Sequence, residues 1–182
     1  MENQVKQVIC GEDHTFIIDQ DHNAYACGDN SKGQLGIGHS WDVEHPTLIS
    51  ELKGKVKTIR STGDINIAIS TENDLYLWPY DNPNFKYKPL KFFLSKKVTI
   101  SSVSCGFNFA VLLSHQGIIY SFGKSNKFGE LGTGDLKPRS TPEPLNILIE
   151  EGEKITQVSC GYKHTLVKGC NGKVYGWGLV NF

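Results

Sequence analysis

The chain has 182 residues, enough for one sizeable domain with its own core. Its 19 lysines and arginines balance 19 aspartates and glutamates, which removes any bulk electrostatic case for nucleic acid or an anionic membrane. No apolar run approaches the roughly 18 residues that span a bilayer, the first residues lack the basic-then-apolar order of a secretory signal, and five cysteines without such a signal (Cys10, Cys27, Cys105, Cys160, Cys170) point to reduced thiols and an intracellular setting, cytoplasmic or nuclear.

In chain order, residues 7–10 predict a short strand, Gly11 a tight turn and residues 15–19 a second strand. QDHN (20–23) is a turn and residues 24–27 a third strand. GQLGIG (33–38) is a loop, and a short strand near residues 46–49 completes the unit. The succession then returns. TIRSTGDINIAI (58–69) with YLWP (76–79) is a degenerate copy. SVSCGFNFAVLL (102–113) with YSFGKSNKFGELGTG (120–134) is a close one, and QVSCGYKHTLV (157–167) with YGWG (175–178) opens another. The hairpin turns TEN, HQG and KGCNG carry the Gly and Asn that accept positive φ.

The first anchors are Gly11, Gly63, Gly106 and Gly161, and the second are Gly28, Pro79, Gly123 and Gly178. The steps between them are 17, 16, 17 and 17 residues, whereas successive first anchors stand 52, 43 and 55 apart. Constant spacing within units and variable spacing between them means a fixed hairpin core joined by elastic loops. No stretch keeps an apolar period of 3.6, so no long helix is expected. The expectation is an all-β chain of antiparallel, three- or four-stranded blades: a partial β-propeller. Its repeats run at about 5–55, 56–98, 99–153 and an incomplete 154–182, as a single domain.

The motif V-x-C-G-x-x-H-T, then Y-x-x-G-x-N-x-x-G-Q-L-G-x-G, then a proline, resembles the repeat of the regulator of chromosome condensation family. Gly11, His14, Thr15, Tyr25, Gly28, Asn30, Gly33, Gln34, Leu35, Gly36, Gly38 and Pro46 fall on it in the first unit. Cys105, Gly106, Tyr120, Gly123, Gly129, Leu131, Gly132, Gly134 and Pro142 fall on it in the third, and Cys160, Gly161, His164, Thr165, Tyr175, Trp177 and Gly178 in the fourth. The resemblance implies a propeller of four-stranded blades, seven of about fifty residues in a closed ring. On that basis the present repeats are expected to be completed by more of the same polypeptide or by another chain.

Cys10 with His14 and Cys160 with His164 have a C-x3-H spacing, but residues four apart on one strand lie roughly 13 Å apart, and Phe109 replaces the histidine in the third unit. No metal site is expected. Instead the thiols are read as small buried groups at strand ends, and His14 and His164 as buried and hydrogen-bonded to backbone. Trp78 and Trp177 are expected in the blade cores, with Phe122 and Ala26 at the same position elsewhere. The glycine-rich loops lack the following helix N-terminus that a phosphate loop needs, and no nucleophile–histidine–acid triad stands out. No cofactor and no catalytic residue is expected.

The second unit departs from the pattern after YLWP. It lacks the GQLG turn and carries Tyr80, Phe85, Lys86, Tyr87, Lys88 and Lys91, aromatics interleaved with lysines, and Lys86, Lys88, Lys91, Lys96 and Lys97 have no acidic residue between them. Aromatics beside cations are common interface anchors, so this segment is the candidate partner-binding surface. The functional expectation is a protein-interaction scaffold without catalysis, its partner another protein or the rest of a larger chain, with no nucleic acid and no membrane. The family resemblance implies an alternative, guanine nucleotide exchange on a Ran-like small GTPase.

Overall fold

The computed structural model describes residues 4–63, 65–79, 87–94, 98–145 and 153–179. The chain divides into two compact units, residues 1–93 and 94–182.

In the first unit, β1 (Val5–Cys10), β2 (His14–Asp19), β3 (Ala24–Gly28) and β4 (Val43–Leu48) form one antiparallel sheet in chain order. A single 3-10 turn, Ser50–Leu52, leads to the second sheet. That sheet contains β5 (Val56–Thr62), β6 (Ile65–Ser70), β7 (Leu75–Trp78) and β8 (Leu90–Phe92). In the second unit, β9 (Ile100–Gly106), β10 (Phe109–Ser114), β11 (Ile119–Gly123) and β12 (Arg139–Pro144) repeat the arrangement. Strands β13 (Ile155–Cys160), β14 (His164–Gly169) and β15 (Val174–Gly178) form a three-stranded sheet among the described residues. The expected strands are all present; the fourth of the first sheet begins earlier than expected, at Val43.

Side chains alternate between the two faces of a strand, and each sheet uses both. One face of the first sheet presents His14, Phe16, Ile18, Ala24 and Ala26, all buried. It packs on the face of the second sheet that carries Ile59, Ala68, Tyr76 and Trp78. The second unit repeats this: Phe109, Val111, Leu113 and Ile119 meet Val158, Val167, Tyr175 and Trp177. Each junction thus joins the forward face of one blade to the rear face of the next. The turn between the second and third strands of each blade places one residue at positive φ: His22 (62°), Asn73 (64°), Gly117 (82°) and Gly172 (87°). Glycine suits that position most cheaply, but the first two blades hold it with other residues.

Two alignments made from sequence need correction. Ser61 pairs with Asn66 as Cys10 pairs with Thr15 and Cys105 with Ala110, so the first turn has the same length in these blades, and Thr62, not Gly63, stands in the place of Gly11 and Gly106. Counted from Thr62, the step to Pro79 is 17 residues, as in the other blades. The same register puts Asn66, paired with Trp78, in the place of Thr15, paired with Cys27. Consequently Cys27, and not Ala26, is the counterpart of Trp78, Phe122 and Trp177; Ala26 belongs to the opposite face.

Candidate interaction surface

The conserved-looking polar and glycine positions of the repeat meet at the junctions. Within each glycine-rich loop an asparagine is the organiser. Asn30 donates from Nδ2 to the carbonyls of His39 and Trp41 and accepts from the Leu35 amide; Asn126 donates to Asp135 and Lys137 and accepts from Leu131. The next side chain inward folds back on its own loop. Gln34 donates to Asp29 and accepts from the Lys32 amide, while Glu130 accepts from the Ser125 hydroxyl and the Phe128 amide. That leaves the backbone carbonyls of Gln34 and Glu130 pointing at the following blade. Trp78 Nε1 donates to Gln34 O at 2.9 Å, and Asn66 Nδ2 donates to it at 2.8 Å. Trp177 Nε1 and Thr165 Oγ1 both donate to Glu130 O at 2.9 Å. The glycine after Leu is what lets the indole in: a Cβ on Gly36 would lie 2.7 Å from Trp78 Nε1, and one on Gly132 would lie 2.7 Å from Trp177 Nε1.

Trp78 is 1% exposed, as expected, and Phe122 is buried; Trp177 is only part-buried. His14 is buried at 5%, but its partners are side chains rather than backbone. Its Nε2 lies 2.8 Å from Ser61 Oγ and 3.1 Å from Asn66 Oδ1 of the next blade, and the Ser61 hydroxyl itself donates to Asn66. His164, at the corresponding place, is part-exposed and has no ring hydrogen bond among the described residues. The difference lies in the neighbour: His14 has a following blade packed on it, whereas no described blade covers His164, Leu166 and Gly176. These residues line an open cleft of about 570 Å³ with Tyr162, Lys163, Trp177 and Leu179. The thiols also differ from expectation. Cys10 and Cys170 are exposed, and Cys27, Cys105 and Cys160 are part-buried; the Cys160 amide is held by Ser104 Oγ at 2.8 Å and its thiol pKa is pushed up by burial. A junction contact that the sequence did not suggest is His22 Nδ1, 2.9 Å from the Val56 carbonyl.

The loops do not offer a phosphate cradle. The amides of Gly33, Leu35, Gly36 and Gly38 are bound to Asn30 O, Asn30 Oδ1, Gly33 O and Tyr87 O, and a strand, not a helix, follows. Among the described residues no group of three or more His, Cys, Asp or Glu is placed to hold a metal ion, and no helix is long and apolar enough to cross a membrane.

Of the aromatic–lysine segment, Tyr80, Phe85 and Lys86 lie outside the described residues. Tyr87 lies against the first blade's loop: its carbonyl accepts from Gly38, and its ring rests where a Cβ on Gly33 would be. Lys88 pairs with Glu51 and Lys91 with Asp74, each at 2.6 Å. The sequence showed no acid between Lys86 and Lys97, but the fold supplies two from elsewhere in the first unit. Lys91 also stands 5.4 Å from the ring centroid of Phe93, which is 76% exposed.

The remaining exposed aromatics sit on loops at one end of the sheets. Trp41, 68% exposed, stacks on His39 at 3.7 Å between ring centroids. In the second unit Tyr162 stacks on Phe107 at 4.7 Å, and Lys163 stands 4.9 Å from the Phe128 centroid and 5.5 Å from that of Tyr162. Tyr162 and Lys163 occupy the variable positions of C-G-x-x-H, where the repeat pattern gives no signal.

Blades of this build, stacked forward face to rear face and fastened through a glycine-rich loop, define a partial β-propeller made of sequence repeats. The profile of the Regulator of chromosome condensation (RCC1) repeat matches residues 21–69 and 116–167, and a second profile of that repeat matches 5–34 and 155–182. The chain belongs to this repeat family. It is 31% identical over 189 residues to the ultraviolet-B receptor UVR8 of Arabidopsis thaliana, covering 98% of this chain and 42% of the receptor. It is also 31% identical over 166 residues to the secretion-regulating guanine nucleotide exchange factor of Mus musculus, covering 85% of this chain and 35% of that protein. Among solved structures, human WBSCR16 superposes with a TM-score of 0.80 at 25% identity, over 98% of this chain and 48% of that one. The chain therefore spans less than half the length of each.

Proposed function

We propose that this chain is a protein-interaction scaffold that carries no catalytic side-chain chemistry and no cofactor. The observation that carries the reading is where the polar groups go. His14, Asn30, Gln34, Asn66, Asn126, Glu130 and Thr165 are all engaged in building loops and junctions. Among the side chains left outward are aromatics beside cations on a rigid frame, a pairing common at contact surfaces. The segment with Tyr80, Phe85, Lys86, Tyr87, Lys88 and Lys91 is part of that contact surface, with Phe93 beside it. The partner is another protein or further polypeptide of the same kind, with no nucleic acid or membrane, in the cytoplasm or nucleus. Affinity capture with the tagged chain should return a discrete protein partner.

A second reading is supported by the likeness to the mouse exchange factor: the chain contributes to guanine nucleotide exchange on a Ran-like small GTPase. Exchange requires stabilising the nucleotide-free GTPase rather than bond chemistry. A fluorescent-nucleotide release assay separates the readings. The scaffold leaves the release rate unchanged, whereas an exchange factor accelerates it.

A further inference from the structure

We propose that the loop end of the second unit is a docking platform for an acidic polypeptide segment that also carries aromatic or large apolar side chains. The inference deepens the scaffold reading and rests on it. The Phe107–Tyr162 stack, Phe128 and Leu136 give an exposed apolar surface at this end. The backbone fixes it: the Phe107 amide donates to the Tyr162 carbonyl at 2.9 Å, and the Leu179 amide donates to the Lys163 carbonyl at 2.8 Å. Lys163 lies across Phe128 and Tyr162, and exposed Lys127 adjoins Phe128.

The acids of the same loop are already committed. Glu130 is buried and accepts from Ser125 and Phe128, and Asp135 pairs with Arg139 at 2.9 Å. Neither Lys127 nor Lys163 has a salt bridge among the described residues, so the platform presents positive charge. The repeat itself does not demand this character. At the positions of Tyr162 and Lys163 the first blade has Glu12 and Asp13, both exposed. Hydrophobic anchors framed by unpaired cations suit a ligand with carboxylates spaced around aromatic side chains. A nucleic acid would satisfy the cations and stack on the rings too, but Phe107 and Tyr162 already stack on each other and Lys163 already lies over Tyr162 and Phe128.

The test uses the 182-residue chain and a synthetic peptide of Glu-Glu-Phe triplets, followed by calorimetric titration. The expected result is binding that weakens as salt is added, with no binding of a Lys-Lys-Phe peptide. Lys163→Glu and Tyr162→Ala should each weaken it about tenfold, while Glu12→Lys should leave it unchanged. Phe128→Ala is the reserve should Tyr162→Ala lower the melting temperature. Failure of the wild-type chain to bind, equal binding by the variants, or preferential binding of single-stranded oligothymidylate overturns the proposal. Affinity capture with wild-type and Lys163→Glu chains separates the two readings. A partner retained by both sinks this platform and leaves the scaffold standing, and loss of the partner with the variant supports the platform. No partner for either chain removes the scaffold reading that the platform rests on.

Discussion

The junction carbonyl of Gln34 accepts two hydrogen bonds from the next blade, and removing them one at a time should expose how the blades are held. Trp78→Phe deletes the indole donor but leaves Asn66 on the carbonyl. Its cost is one net hydrogen bond, about 1 kcal/mol, plus roughly 1 kcal/mol for the void left by the smaller ring. Asn66→Ala removes the other donor and also the Oδ1 acceptor shared by His14 and Ser61, which keep only their bond to each other, so its single-variant cost is larger. In the double variant the carbonyl has lost both donors in a buried place, and the desolvation penalty adds about 1–2 kcal/mol beyond the sum. The Asn66 losses at His14 and Ser61 cancel in the cycle. Urea unfolding followed by circular dichroism supplies the four free energies. Additivity within about 0.3 kcal/mol would refute the two-donor account of the junction. The Trp177→Phe and Thr165→Ala pair, which shares Glu130 O, should show the same sign with a smaller size, since Trp177 is part-exposed.

Gly132→Ala and Gly134→Ala both place a Cβ at positive φ (69° and 80°), worth roughly 1–2 kcal/mol each. Gly134 has nothing within 4 Å, whereas Gly132 faces the Trp177 indole at 2.7 Å. Gly132→Ala should therefore cost more, and equal losses on denaturation would count against the indole's role. The Asp135 carboxyl is held down to about 2, chiefly by the Arg139 guanidinium. A depressed carboxylate gives stability that is present above the ordinary range near about 4 and lost as pH falls through about 2. An NMR titration should find the low value, and Arg139→Met should return it toward the ordinary one.

The fold was legible because the repeat writes the same hairpins several times: strands at residues 7–10, 15–19 and 24–27 were placed from alternation and turn residues alone. The second blade was misregistered because Gly63 looks like Gly11, while the pairings of Ser61 with Asn66 and of Asn66 with Trp78 put Thr62, one residue earlier, in the place of Gly11. Pairing is a non-local property, and one glycine does not fix it. The partners of His14 were illegible for the same reason: Ser61 and Asn66 lie 47 and 52 residues away. The ion pairs of Lys88 and Lys91 reach back to Glu51 and Asp74, outside the window in which the segment looked purely cationic. The Tyr162–Lys163 platform lies in the two variable letters of a motif, where a pattern drawn from resemblance is blank.

The use of a backbone carbonyl as the fastening point has an evolutionary consequence. Because Gln34 and Glu130 turn their side chains back into their own loops, the next blade never reads which residue stands there; it reads only the main chain and the space above a glycine. Donors can likewise change, Asn66 in one junction and Thr165 in the other, around the same indole. A blade carrying that indole is thus compatible with any preceding loop of this shape. Repeats so fastened can be duplicated, exchanged or inserted by recombination without rewriting the neighbour, while their outer loops diverge freely, as Glu12–Asp13 and Tyr162–Lys163 have done.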